Sequence, residues 1–226
     1  MVKVRTKLVS WEEVVDWSRE LARKIRESGY KPGVVIAVAR GGYVPARLLC
    51  DFLGIENLLS IQSQHWTEAA KMAEKAIIKF KYHVDLKGYK ALLVDDIVDT
   101  GESLLLARDF ILREWKPDEL KIAALQWISP VAKFKPDYYH LEVKEWTWFM
   151  YPWTRLEDVT QFIRRMLGEE GKEKKEWTKE EVKEKFMEWY GQDVGWYLDE
   201  ALENLVREGF LEFKDGKYVL KQHSLA

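Results

Sequence analysis

Ala91-Leu92-Leu93-Val94-Asp95-Asp96-Ile97-Val98-Asp99-Thr100-Gly101-Glu102-Ser103 is the stretch on which the fold turns. Its first four residues are apolar, which predicts a strand buried on both faces of a parallel sheet. Two adjacent acids follow at the C-terminal end of that strand, the edge where open α/β sheets bind ligands. From Asp99 the chain turns into a helix that reads through about Glu114. A helix start offers backbone N–H groups and a partial positive charge, both suited to a phosphate. Thr100 and Ser103 add hydroxyl donors, and Gly101 lets the backbone approach closely. Asp95 and Asp96 are placed to accept hydrogen bonds from vicinal sugar hydroxyls or to hold a hydrated Mg²⁺. A phosphate cradle beside two acids describes a site for a sugar phosphate.

Upstream, Val34 to Ala39 is a second continuous apolar run, again the pattern of a doubly buried strand. It ends in Arg40-Gly41-Gly42-Tyr43-Val44-Pro45. Amides exposed in a glycine turn beside one guanidinium make a nest for a pyrophosphate. Ser10 and Glu13 form a capping-box pattern ahead of a helix with Val14, Trp17, Leu21 and Ile25 on one face, closed by Gly29. Val44 to Leu53 reads as a helix, Leu58 to Gln62 as a strand, Trp66 to Ala76 as a helix, and Ile77 to Tyr82 as a strand. Lys121 to Trp127 and Tyr139 to Val143 are further strands. Strands alternating with helices predict an α/β fold with a mostly parallel, twisted sheet flanked by helices.

Trp146-Thr147-Trp148-Phe149-Met150-Tyr151-Pro152-Trp153 is an aromatic cluster between a strand and a helix. Such rings either stack on a flat heterocycle or simply staple a hydrophobic core. The segment 168–176 is charged, carries two glycines and reads as a linker, so the chain divides into a domain at 1–167, that linker, and a second domain at 177–226. In the second domain, Thr178 to Tyr190 is helical, and Leu198, Ala201, Leu202, Leu205 and Val206 mark an amphipathic helix stopped by Gly209. Phe210 to Phe213 and Tyr218 to Leu220 form a hairpin across Asp215-Gly216. Two helices and a hairpin resemble a small α+β winged-helix module.

Composition narrows the function classes. Lys+Arg is 36 and Asp+Glu is 38, a net charge of -2, so binding to nucleic acid through bulk charge is not expected. From Trp177 onward seven basic residues face eleven acidic ones. The single cysteine, Cys50, excludes an internal disulfide and any zinc site of paired cysteines, and it reads as a small core residue. His83, His140 and His223 show no metal-ligand spacing. No run suits a membrane span or a signal peptide, so a cytoplasmic protein is expected. Only two Asn accompany abundant Lys and Glu, the bias of heat-adapted proteins.

The stretch Ala91 to Ser103 resembles the signature of the type I phosphoribosyltransferases, which bind phosphoribosyl pyrophosphate (PRPP). Arg40-Gly41-Gly42 resembles that family's pyrophosphate loop, which often has a non-proline cis peptide just before or within the glycine pair. Thr147-Trp148 with Pro152-Trp153 is similar to the purine-covering hood of bacterial xanthine-guanine phosphoribosyltransferases. The likeness runs from near Lys7 to near Trp153. It implies transfer of a phosphoribosyl group from PRPP to a purine, expected to be a 6-oxopurine such as xanthine, guanine or hypoxanthine, in purine salvage with Mg²⁺.

The resemblance also implies residue roles. Arg40, Gly41, Gly42 and Mg²⁺ would neutralise the leaving pyrophosphate. Asp95 and Asp96 would hold the ribose hydroxyls, with Asp96 also touching the metal through water. Asp99 would manage the proton on purine N7. Thr100, Gly101, Glu102 and Ser103 would hold the 5′-phosphate, Glu102 through its backbone. Trp148 would stack on the base and the backbone around Phe149 would read its edge. His65, within Ser63 to Thr67, falls where the family has a mobile loop.

Two departures stand out. Relatives acting on 6-oxopurines carry a lysine in the strand before the hood, whereas Ala123 to Pro130 has none before Lys133; Gln126 would offer only a weaker donor there, which leaves the identity of the base open. Thr154 stands where relatives often have an acid. A homo-oligomer, dimer or higher, is expected. The competing expectation is a PRPP-sensing regulator of nucleotide metabolism, and the acidic tail argues against DNA as its target.

Overall fold

The computed structural model describes residues 3–68 and 73–221. In chain order the elements are β1 (Thr6–Leu8), α1 (Trp11–Glu27), β2 (Val34–Ala39), α2 (Tyr43–Leu53), β3 (Leu58–Glu68), β4 (Ala73–Ile78), β5 (Lys90–Val98), α3 (Glu102–Glu114), β6 (Glu119–Ile128), β7 (Tyr138–Val143), β8 (Trp148–Met150), α4 (Arg155–Glu170), β9 (Glu176–Trp177), α5 (Lys179–Tyr190), α6 (Tyr197–Arg207), β10 (Leu211–Lys214) and β11 (Lys217–Leu220). They fall into two compact units. One is Trp11–Trp146, and the other joins the chain up to Ser10 with everything from Thr147.

The first unit is built on a six-stranded sheet of order β4-β3-β2-β5-β6-β7. All neighbours are parallel except the β3–β4 pair. Every residue of β2 is buried, as its unbroken apolar run requires. Ile36, Leu93, Ala107, Ile111 and Trp115 belong to one core on the α3 face. Val35, Ala37, Leu92 and Val94 are buried on the other face, where α1 and α2 pack. From β2 the chain crosses to β3 on one side, and from β5 it crosses to β6 on the other. The crevice between the C-terminal ends of β2 and β5 is therefore the topological switch point of the sheet, the place such sheets bind ligands.

Three expectations are corrected here. Trp66 to Ala76, read as helix, contains strand: Ser63–Glu68 pairs antiparallel with Ala73–Ile78. The segment is rich in helix formers, but pairing of backbone along the sheet edge overrides that weak preference. His65 therefore lies in β3. Ile77 to Tyr82, read as strand, leaves the ladder after Ile78. Tyr82 is instead held by side-chain contacts: its hydroxyl donates to Ser60 O, its carbonyl accepts from Trp115 Nε1 at 2.9 Å, and its ring lies 5.0 Å from that of Trp115. Finally, β5 runs past Val94 to Val98, with Asp95 opposite Ala124 and Ile97 opposite Gln126. The two acids thus project from a strand, which holds them more rigidly than a loop would.

The second unit has its own core, which includes Met150, Phe162, Phe186, Trp189, Tyr190 and Leu205. The Phe162 and Tyr190 rings stack at 4.3 Å, and the Tyr190 hydroxyl donates to Phe162 O at 3.0 Å. β1 pairs in parallel with β8, and β10, β11 and β9 form a three-stranded antiparallel sheet. Thr178 and Glu181 close a capping box at the start of α5. The segment read as a linker at 168–176 begins inside α4, and the chain re-enters this unit at Thr147. The apolar face of α4, with Phe162, Ile163 and Met166, belongs to the same core as α5 and α6, so the appendage, the part of this unit from α4 onward, has three helices and three strands among the described residues. Among the described residues no helix is long and apolar enough to cross a membrane.

Candidate active site

Asp95 and Asp96 are successive residues near the C-terminal end of β5, and both line one cavity. The Asp96 amide donates to Asp95 Oδ1 at 2.9 Å, which fixes the Asp95 carboxyl. Burial, with the Asp96 carboxyl beside it, pushes the Asp95 pKa well above the usual carboxylate range. Asp96 is only 7% exposed and lies against Gly41. A β-carbon on Gly41 would sit 2.4 Å from Asp96 Oδ2. A β-carbon on Gly42 would sit 2.4 Å from Val94 O and 2.7 Å from Val38 O. Both glycines are thus required for the loop after β2 to enter the crevice beside β5. The peptide bond Ala39–Arg40, just before the glycine pair, is cis.

Beyond the acids the chain turns at Gly101, whose φ of 82° favours glycine. No side-chain cap closes the start of α3 there. A cavity of about 310 Å³ is lined by every residue from Asp95 to Leu104 except Val98. Asp99 is an exposed residue of its lining, and partial desolvation raises its pKa from the usual 3.8. A second cavity of about 320 Å³ holds Arg40, with Ala39, Gln62, Ser63 and Lys79. The switch point thus brings together ten expected residues: Arg40, Gly41, Gly42, Asp95, Asp96, Asp99, Thr100, Gly101, Glu102 and Ser103.

Trp148 and Phe149 belong to the other unit. Trp148 is partly buried, with its ring edge-on to Phe162 at 5.3 Å. Phe149 is 8% exposed, and Tyr151 stacks on Trp153 at 4.8 Å. The strand alternation of β8 turns Trp148 and Met150 into the core that also holds Phe162. Gln126, expected as a weaker donor in place of the lysine, is fully buried on β6.

Two residues that sequence reasoning passed over brace the acid-bearing loop. Lys133 N donates to Thr100 O at 2.9 Å, and Lys133 Nζ forms an ion pair with Glu102. Phe134 covers Gly101 so closely that a β-carbon there would meet Phe134 Cε1 at 2.5 Å. Trp127 Nε1 anchors this segment through Phe134 O at 3.1 Å. Nothing in local pattern marks either residue, because their partners lie about thirty positions upstream.

Comparison with known proteins adds an independent line. The family model of the phosphoribosyl transferase domain matches residues 5–157. The xanthine-guanine phosphoribosyltransferase of Desulfotalea psychrophila is 30% identical over 168 residues, covering 74% of this chain and 95% of the relative. The corresponding protein of Cereibacter sphaeroides is 30% identical over 151 residues, covering 64% and 84%. The crystal structure of a purine phosphoribosyltransferase from Pyrococcus horikoshii aligns with a TM-score of 0.59 at 34% identity, covering 66% of this chain and 93% of that one. The family match includes β1 and β8 and stops at the first turn of α4, leaving residues 158–226 beyond it.

Proposed function

From the premise that the chain belongs to the phosphoribosyl transferase domain family, we propose that it transfers the 5-phosphoribosyl group of PRPP to a purine, giving the nucleoside monophosphate and pyrophosphate. The xanthine-guanine names of its relatives favour a 6-oxopurine and a role in purine salvage. The observation that carries this reading is the cavity from Asp95 to Leu104 at the switch point of the sheet, with Gly41 seated on Asp96.

In this reaction the C1′–O bond to pyrophosphate breaks and a C1′–N bond to the base forms, through a transition state with oxocarbenium character. Thr100, Gly101, the Glu102 backbone and Ser103 hold the 5′-phosphate at the positive end of α3. Asp95 and Asp96 accept hydrogen bonds from the ribose hydroxyls, which relieves two carboxyls crowded at one strand end. Asp99 takes and returns the proton on purine N7, and its raised pKa moves it toward that task. Arg40 and the Gly41 and Gly42 amides meet the charge that develops on the leaving pyrophosphate. Trp148 stacks on the base and the backbone at Phe149 reads its edge.

Among the described residues no group of three His, Cys, Asp or Glu is placed to cage a metal. Two carboxylates with room for phosphate oxygens and water suit Mg²⁺, which is seldom held by an all-protein cage. Asp96 would hold Mg²⁺ through water, and the ion when bound supplies charge neutralisation to the pyrophosphate.

The test is pyrophosphate release from PRPP and Mg²⁺ with adenine, hypoxanthine, guanine, xanthine, orotate or uracil. Consumption of a 6-oxopurine is expected, and Asp99→Asn should lower kcat by about 10²–10⁴. No consumption of any base would sink the proposal. The competing reading, a PRPP-sensing regulator, draws on the three helices and three-stranded sheet of the appendage.

A further inference from the structure

Strand β8, whose Trp148 and Phe149 serve the base in the proposed reaction, is three residues long. Among the described residues its ladder partner is β1, also three residues long. Thr6 pairs with Trp148, Lys7 with Phe149 and Leu8 with Met150. A two-stranded ladder of that size is marginal by itself. What holds β1 therefore decides where β8 lies.

Most of that hold comes from beyond the family match, which ends at residue 157. A helix leaves the carbonyls of its last turn without intrahelical partners. At the end of α5 the N-terminal segment takes them. Lys3 N and Val4 N donate to Trp189 O at 2.9 and 3.1 Å, and Thr6 Oγ1 donates to Tyr190 O at 2.8 Å. Gln192 Nε2, two residues past the helix, donates to Thr6 O at 3.2 Å. Lys3 Nζ lies 3.7 Å from the centre of the Trp189 ring. The same helix end reaches β8 through its rings, because Tyr190 stacks on Phe162 and Phe162 meets Trp148 edge-on. Tyr190 thus grips one register pair twice, Thr6 by its carbonyl and Trp148 through Phe162. At the other end of the ladder Val9 N donates to Met150 O at 3.1 Å, and Val9 O accepts from Arg155, whose guanidinium lies 5.6 Å from the Tyr197 ring of α6.

We propose that the appendage is the positioning element of the base-reading strand, with Thr6 and Gln192 as its positioning residues, so that purine affinity is set partly by side chains that touch no substrate atom. The inference rests on the transferase reading and goes beyond it. A backbone group reads a base edge only within a narrow range of distance and angle. A strand released by a few tenths of an ångström therefore loses affinity for the base. The acids and the phosphate loop belong to the unit Trp11–Trp146, so the loss falls on the purine and spares PRPP. The coupling is reciprocal: a purine bound to the ordered strand stabilises the appendage by the same free energy.

The test is steady-state kinetics of the full chain with Mg²⁺, PRPP and whichever of xanthine, guanine and hypoxanthine it consumes. Thr6→Val keeps the β-branched shape and removes the hydroxyl, and Gln192→Ala removes the amide donor. Each should raise the purine KM about 3–10-fold, the range for one hydrogen bond, and leave the PRPP KM within about twofold. Thr6→Ser keeps the hydroxyl and should restore the wild-type purine KM. Thr178→Ala removes the cap at the far end of α5 and controls for stability. It should lower Tm and leave both KM values unchanged. An unchanged purine KM in Thr6→Val and Gln192→Ala overturns the assignment. So does an equal rise in both KM values, or a purine KM that follows Tm in Thr178→Ala. A wild-type chain that consumes no base sinks the transferase reading and this proposal with it, whereas an active chain with unmoved KM values sinks the positioning role alone.

Discussion

Gly41 and the Asp96 carboxylate are in contact across the switch point: a β-carbon at position 41 would lie 2.4 Å from Oδ2 and 2.7 Å from Oδ1. The loop that carries Arg40 and the strand that carries the acids are therefore set against each other by one missing side chain. Gly41→Ala must displace the carboxylate or the loop. It should lower kcat/KM about 10²-fold, the cost of roughly 1 Å of misplacement at reacting groups. Gly168→Ala is the control, because a β-carbon there meets nothing within 4 Å on helix α4. It should leave turnover unchanged and add about 0.5–1 kcal/mol of stability. Steady-state kinetics and thermal melts of both variants check this, and full activity in Gly41→Ala would refute it.

Trp148 packs its ring edge-on to Phe162, and the proposed function asks the same ring to stack on the base. Trp148→Ala should cost about 1–3 kcal/mol of purine binding, the range for stacking on a base. The same variant should lower Tm, since the ring packs edge-on to Phe162 at 5.3 Å. Trp148→Phe should keep most of the purine affinity by presenting a ring to the base. If the KM values for purine and PRPP rise equally in Trp148→Ala, the residue serves the core alone.

Tyr190 gives the second unit a pH signature. Its pKa is pushed up to about 12 by burial, against about 10 in an unfolded chain. The folded state holds this proton more tightly, so its contribution is intact below about pH 10 and is lost as pH rises through about 12. Tyr190→Phe should be about 1 kcal/mol less stable at neutral pH, through loss of the hydrogen bond to Phe162 O. The two proteins should converge above pH 10. Denaturant unfolding at pH 7 and pH 11 tests it, and a constant difference would mean that Tyr190 does not titrate in this range.

The appendage should not bind DNA. Glu200 and Glu203 on α6 and Glu208 just past its end are exposed, and Arg207 is the one basic residue on the helix. Asp199 is paired with Lys179 at 2.5 Å, and Glu208 with Arg164, so nearby cations are already engaged. Phosphate would be repelled along this face. A gel-shift titration at low salt, where attraction is strongest, should show no complex. Saturable binding that weakens with added salt would favour the regulator reading instead.

Much of the site is legible in the linear chain because its signals are local. Four apolar residues, two acids and Gly101 specify strand, edge and turn within thirteen positions, and the glycine pair after Ala39 does the same for the facing loop. The buried run of β2 and the amphipathic face of α6 are periodicities that need no partner to be seen. Whatever depends on a distant partner was decided by tertiary structure. Residues 66–76 have the composition of a helix, yet part of the stretch pairs as strand at a sheet edge. α4 looks like the end of the first domain until Phe162 stacks on Tyr190. Lys133 and Phe134 reach back to Thr100, Gly101 and Glu102, and Lys79 joins Arg40 only through the register of three strands. The sequence alone determines which backbone conformations are cheap over a few residues. Which surfaces then meet depends on burying apolar area and pairing backbone groups between segments far apart in the chain, and no short window of sequence contains both halves of such a contact.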